Sequence, residues 1–383
     1  MKSKHLLAIL GLSCAASLAF SACSDNDDPK ADNDDSANID YTEKNAASWG
    51  NYMVQVASLL RSDASSLYDA WTVSYEGGRD FATSFKAHNG GDYSSALSCI
   101  EQIIEGCADI ANEVGTAKIG DPYQLYISGN TKSALYAVES WYSWHSREDY
   151  SNNILSVRNS YYGSLDGSVS PNSLSALIAS VKPALDTQVK EAIAGAYDAI
   201  LAIPQPFRNH INSSETRVAM TACADLEEIL SQDLKSAVNS LANDSRLQAI
   251  VDNYVDVVVV PTYASLKDKN ALLYQAVVNF KNNPSDANFA SACNAWLTAR
   301  EPWEKSEAFL FGPVDALGLD PNMDSWPLDQ DNIVQILNSG NYDNLNWSDG
   351  DDDDTIEAVQ SVRGFHTLEF LLFKDGQPRK VKN

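Results

Sequence analysis

Apolar residues recur at helical spacing along most of the chain, and alternation with a period of two is nearly absent. Over residues 45–75 the apolar positions are Trp49, Met53, Val56, Leu59, Leu60, Leu67 and Trp71, and Gly77-Gly78 closes the pattern. Over 94–114 they are Ala96, Leu97, Ile100, Ile103, Ile104, Cys107 and Ile110, with Gly115 as the predicted stop. Further helices are predicted over 171–203, halted by Pro204 and Pro206, and over 214–242, where Asn243-Asp244 permits a break. The β-branched run over 254–260 fits a strand by composition, but the amphipathic residues after Pro261 favour a helix kinked at the proline and reaching Phe280. A turn over 281–284, a helix over 286–300 and a new helix opening at Glu301-Pro302 follow. The result is an all-α body of about 340 residues, large enough for two cores, dividing near 243–253.

The N-terminus adds a compartment. Lys2 and Lys4 precede an apolar run over 6–20 that ends in Phe20-Ser21-Ala22-Cys23, the pattern of a lipoprotein signal peptide over 1–22 with Cys23 as the acylated first residue. Phe20 departs from the usual aliphatic residue, and Cys14, inside the run, is the poorer acylation site. The apolar core is too short to stay as a membrane span. Residues 23–43, opening with Ser24-Asp25-Asn26-Asp27-Asp28, have no apolar face to bury and are predicted to form a disordered acidic tether. A serine and acids directly after the lipid cysteine resemble the surface-export signal of Bacteroidota lipoproteins. The resemblance implies an outer-membrane lipoprotein on the cell surface; a plain solvated linker is the other reading.

Charge narrows the partners. With 27 Lys and Arg against 52 Asp and Glu, the formal charge is −25, and removing the leader takes away two lysines and no acid. Such a surface repels phosphate backbones and excludes nucleic acid, while it permits cation binding without arguing for it. Cys99, Cys107, Cys223 and Cys293 form no Cys-x-x-Cys unit, which argues against a thiolate metal site. Their apolar contexts predict buried thiols, and the exported compartment leaves a disulfide open. The acidic run over 349–354 lacks the spacing of an EF-hand and is explained by the helix start that follows.

The segment Gly364-Phe365-His366-Thr367-Leu368-Glu369-Phe370-Leu371-Leu372 sets an imidazole and a carboxylate three apart in an oily helix, where they share one face. They can hold a metal ion or polar ligand jointly, or form a structural hydrogen bond. Upstream lie Ala299-Arg300-Glu301-Pro302-Trp303, Ser306-Glu307-Ala308-Phe309, Gly312-Pro313-Val314-Asp315 and Trp326-Pro327-Leu328-Asp329. Together these segments resemble the imelysin-like family, also classed as peptidase M75, whose hallmark is a Gly-x-His-x-x-Glu helix with an Ala-Arg block, a Gly-Pro-x-Asp turn and a Trp-Pro-x-Asp turn. Residues 139–150 and Asn159-Ser160-Tyr161-Tyr162-Gly163 look like a degenerate copy of the family's downstream half, with Trp144 and His145 in place of its Asp-Asn. Here that half comes first, so the resemblance implies two circularly permuted halves, an arrangement that needs chain ends close together.

The resemblance also implies two helical-bundle subdomains, over 44–248 and 249–383, with the site in the crevice between them. His366, Glu369 and Glu307 are the metal-ligand candidates: a carboxylate in the apolar context of Glu307 needs a partner. Asp315 sits on a turn after Gly312-Pro313, and Arg300 can orient or neutralise the acids. Ser143, Arg147 and Asp149 from the first half complete the ligand-binding candidates. Iron or zinc suits such donors. The implied function is a surface-tethered protein that captures a metal ion or metal-bearing ligand in iron uptake, with an outer-membrane protein as a partner. The alternative is a metallopeptidase using His366 and Glu369. Against it, no His-Glu-x-x-His occurs among His5, His88, His145, His210 and His366. A third reading is a carbohydrate- or peptide-binding scaffold.

Overall fold

The computed structural model describes residues 39–88, 93–342, 345–347 and 351–381. The signal peptide, Cys23 and the tether to residue 38 lie outside the described residues. The described residues begin at 39, inside the stretch read as tether, and Tyr41 is buried edge-on against Trp49, Phe280 and Phe289, with ring centroids 5.9, 5.6 and 5.5 Å away. Arg379 Nη1 donates to the Ile39 carbonyl at 2.6 Å, and Lys374 pairs with Asp40 at 2.9 Å. The two ends of the described chain therefore meet.

The architecture is all-α, with a two-residue antiparallel pair, Phe373–Lys374 and Gln377–Pro378, beside the helices. Ser95, Ser173, Ser213 and Ser285 each accept the N–H three residues on and so fix the starts of four helices. Helix Ala46–Thr72 lies along Val260–Asn282, which packs on Asp286–Glu304; Gly364–Leu372 and Leu319–Asp324 join this group. Ala96–Glu113, Ser146–Tyr162, Pro183–Ala202 and Ser214–Glu228 form the other. The first helix thus packs with C-terminal elements across the 248/249 division. Trp49 Nε1 donates to the Leu371 carbonyl at 3.0 Å and Tyr52 Oη to that of Val362 at 2.7 Å. One contiguous hydrophobic cluster runs through both groups.

Several helices differ from the pattern. The 171–203 stretch splits into Leu174–Val181 and Pro183–Ala202, because Lys182 leaves the helical region and Pro183 opens the second helix. Pro302 starts no new helix: it lies in the last turn of Asp286–Glu304, where a missing N–H costs one bond and the Arg300–Glu304 pair spans it. The valine run is helical, as a wide π-turn Tyr254–Val259 that leads into Val260–Asn282 and its Pro261. The 94–114 helix does not stop at Gly115 but continues through a π-turn, Val114–Lys118. Among the described residues, Cys99, Cys107, Cys223 and Cys293 are buried free thiols. Among the described residues no helix is long and apolar enough to cross a membrane.

Candidate functional site

The two helix groups meet where Asp286–Glu304 and the turn Glu307–Phe309 face Ser146–Tyr162. There the motif helix is locked by its glycine. Gly364 has φ of +85°, and a Cβ on it would come within 2.6 Å of the Met323 carbonyl oxygen, so the chain approaches Asp324 as only glycine allows. Trp296 Nε1 donates to the Phe365 carbonyl at 2.9 Å and holds the first turn from the other side.

His366 and Glu369 then point into the interface, both fully buried. His366 Nδ1 lies 3.1 Å from Glu369 Oε2, and Nε2 lies 3.1 Å from Asp324 Oδ1. The other Glu369 oxygen accepts from the Tyr142 and Ser143 backbone N–H groups at 3.1 and 2.8 Å and from Ser143 Oγ at 2.6 Å. The edge of Trp326 meets the imidazole, with centroids 4.8 Å apart. Burial and Arg300 disfavour the imidazolium, but Asp324 and Glu369 outweigh them and raise its pKa to about 9.

Arg300, fully buried, is the hub of the remaining charges. It pairs with Asp324, with Glu304 Oε1 at 2.6 Å and with Asp149 Oδ2 at 3.6 Å. Burial pushes Glu304 up to about 8 and Asp149 to about 7 against the pull of Arg300, whereas Asp324 overcomes its burial through Arg300 and His366 and is held below the usual carboxylate range. Ser140 Oγ donates to Asp149 Oδ2, and Trp303 Nε1 to Asp324 Oδ2 at 2.6 Å. Glu307 is raised well above the ordinary range by burial, with Lys118 Nζ 3.8 Å away as its counter-charge.

Carboxylate oxygens of Glu304, Glu307 and Asp324 lie within 4.8 Å of one another. This donor set fits a hard or borderline cation such as iron: oxygen ligands from three chain segments converge in a buried place. Asn153, fully buried, donates its amide N–H to Glu304 Oε2 at 2.6 Å and leaves its Oδ1 without a partner beside them. His366 does not fit as a ligand in this resting arrangement, because both ring nitrogens face carboxylates.

Of the residues singled out from the sequence, His366, Glu369, Glu307, Arg300, Asp149 and Ser143 come together here. Arg147 does not: its guanidinium binds Glu148 Oε1 at 2.8 Å and the Leu201 and Ile203 carbonyls at 3.0 and 3.2 Å. Asp315 lies exposed on the short helix Pro313–Ala316. Sequence reasoning missed Glu304, Asp324, Asn153, Ser140 and Lys118. Glu304 alone had a signal, its i,i+4 spacing from Arg300 in a helix of mainly apolar buried neighbours.

The family model described as Imelysin matches residues 25–232 and 259–383. A solved imelysin peptidase from Bacteroides ovatus is 64% identical, covers 91% of this chain and all of its own, and superposes with a TM-score of 0.90. Iron-regulated protein A of Synechococcus elongatus is 34% identical over 136 residues, so the chain spans about a third of that relative's length, and the match a third of this chain. With most of its length matched by the family model and by a solved member, this chain belongs to the imelysin family.

Proposed function

We propose that the protein captures a metal ion, in iron handling, at the interface between its two helix groups. The observation that carries this reading is the convergence of Glu304, Glu307 and Asp324 within 4.8 Å inside the protein. Among the described residues, carboxyl groups outnumber cations there: Glu113, Glu139, Asp149, Glu304, Glu307, Asp320, Asp324 and Glu369 interact with Arg300, Lys118 and His366. Such an excess must be balanced by protons or by a bound cation. Glu304, Glu307 and Asp324 would ligate it, while Arg300, His366 and Glu369 hold the ligands in place. Iron is favoured by the name of the S. elongatus relative. Acylation at Cys23 would tether the site at the outer membrane, facing outward, where an outer-membrane protein could receive the ion.

A peptidase reading rests on the designation of the solved relative. We favour capture because catalytic zinc uses imidazoles with an open coordination position, whereas His366 spends both nitrogens on carboxylates and no imidazole joins the carboxylate trio among the described residues.

Calorimetric titration of the metal-stripped mature chain with ferrous, ferric, zinc and calcium ions tests the proposal. One saturable site is expected, abolished in Glu304→Gln/Glu307→Gln. Absence of binding to all four ions, or binding that survives the double substitution, would overturn it.

A further inference from the structure

Lys118 is a second buried cation beside the carboxylate trio. Arg300 pairs with Asp324 and Glu304. Lys118 instead approaches from the opposite helix group, with Nζ 3.3 Å from Glu139, 3.8 Å from Glu307 and 3.9 Å from Glu113, and its side chain is only 5% exposed. Glu139 and Glu113 lie on the outer side, with side chains 13% and 52% exposed, and Glu307 on the inner, at 5%. The ammonium thus stands between the carboxylate trio and the more open acids.

Its backbone is built to bring it there. Lys118 ends the π-turn Val114–Lys118, in which the Ile119 N–H reaches back to the Val114 carbonyl at 3.0 Å. Two glycines make the wide turn fit: a Cβ on Gly115 would lie 2.9 Å from Cys223 Cβ, and one on Gly120 would lie 2.8 Å from the Gly115 carbonyl oxygen. Single π-turns inside helices recur at functional sites. The choice of lysine also matters. Arg300 is a rigid fork bound at several points, whereas an ammonium on a four-carbon stem is a compact charge that can retreat along its own length.

A separate observation concerns the group beside Glu304. Asn153 Oδ1, on a side chain with no exposure, has no partner among the described residues although its amide nitrogen binds Glu304. An orphan oxygen in such a place is costly unless a cation or water completes it.

We propose that Lys118 is a displaceable counter-ion of the cation site, occupying the place of positive charge beside Glu307 until a metal ion arrives and then withdrawing onto Glu139 and Glu113. This rests on the metal-capture reading above and adds its regulation. Because the ion must compete with a tethered ammonium, affinity is held down and a captured ion can be passed on. No bond is made or broken; one cation replaces another beside Glu307.

The test compares wild type, Lys118→Met and Lys118→Met/Glu139→Gln as full mature chains, titrated calorimetrically with zinc and, anaerobically, ferrous ion, and followed by thermal unfolding with and without metal. Methionine keeps the apolar stem and removes the charge, and the second substitution removes the acid that would be left without a partner. Both variants are expected to bind at least tenfold more tightly than wild type and to show a larger metal-induced rise in unfolding temperature. Wild-type binding with equal or weaker binding by a folded variant would overturn the counter-ion role and leave metal capture standing. Binding by the variants alone would overturn metal capture by the wild-type protein, and with it the counter-ion role that rests on it. No binding by any of the three would overturn both.

Discussion

The protonation state of His366 decides what the Gly-x-His-x-x-Glu motif does, and it can be measured. The ring sits between Glu369 and Asp324 at 3.1 Å on each side, and its pKa is raised to about 9 from an unfolded value near 6.5. About 2.5 pH units at about 1.4 kcal/mol each give roughly 3 kcal/mol of stability linked to this proton. The sign follows from the raised value: the contribution is fully present below about pH 6.5 and is lost as pH rises through about 9. In His366→Gln the linkage disappears. Urea denaturation should therefore show a gap between wild type and variant that is widest near pH 6 and narrows by about 3 kcal/mol by pH 10. Nitrogen NMR of histidine-labelled protein gives the same answer without unfolding, since the His366 signal is the one absent from the variant and should report an imidazolium at pH 7. An imidazolium has no lone pair for a metal, so this result would make His366 a holder of Glu369 and Asp324 in the resting site. A His366 signal that titrates below pH 7, or a gap that does not change with pH, would refute the reasoning and return His366 to the ligand set.

Two more predictions bear on neighbouring features. Metal binding should strengthen with pH, because Glu304, raised to about 8, must lose a proton to ligate. One displaced proton predicts a gain in zinc affinity of about tenfold between pH 6 and pH 7, read by calorimetry; a pH-independent affinity would contradict it. Gly364→Ala should destabilise the fold by about 2–4 kcal/mol in urea, since its φ of +85° and the Met323 carbonyl 2.6 Å from a Cβ leave no relaxed place for a methyl group. A loss under about 1 kcal/mol would show that the motif glycine is not required by this approach.

Much of the site was legible because its residues carry conspicuous local contrast. His366 and Glu369 interrupt an apolar helix at a spacing that shares one face, and Arg300 and Glu307 sit in an aromatic block, so each stands out against its immediate neighbours in the chain. What could not be read is polar matter hidden in polar sequence. The helix Ser146–Tyr162 has an apolar stripe, Tyr150, Ile154, Val157 and Tyr161, but it also buries Ser151, Asn153, Ser156, Asn159 and Ser160, and apolar periodicity passes over the buried polar face that supplies Asp149 and Asn153. Arg147 illustrates the limit of reading a motif as a block: two residues from Asp149 on a helix, it faces about 200° away, and only one of the pair can enter the interface. Asp315 fails for the same kind of reason, because the short helix that follows Gly312 turns it outward.

The charge balance of the site was the least visible feature, although every residue in it is plain in the sequence. Glu304 carries only its i,i+4 spacing from Arg300 as a signal, and Lys118 follows the predicted helix stop at Gly115. Only the packing of Asp286–Glu304 against Ser146–Tyr162 takes the first out of water, and only the π-turn at Val114–Lys118 brings the second to Glu307. Once both are buried, the number of carboxyl groups exceeds the number of cations, and no rotation of side chains can correct that excess. Protons on Asp149 and Glu304 can balance part of it near neutral pH, where burial raises these groups to about 7 and about 8. A metal ion can balance it as well, at the expense of those protons and of the Lys118–Glu307 contact. A fold that served only for stability would have little use for this arrangement, since apolar residues of similar volume pack such an interface at least as well.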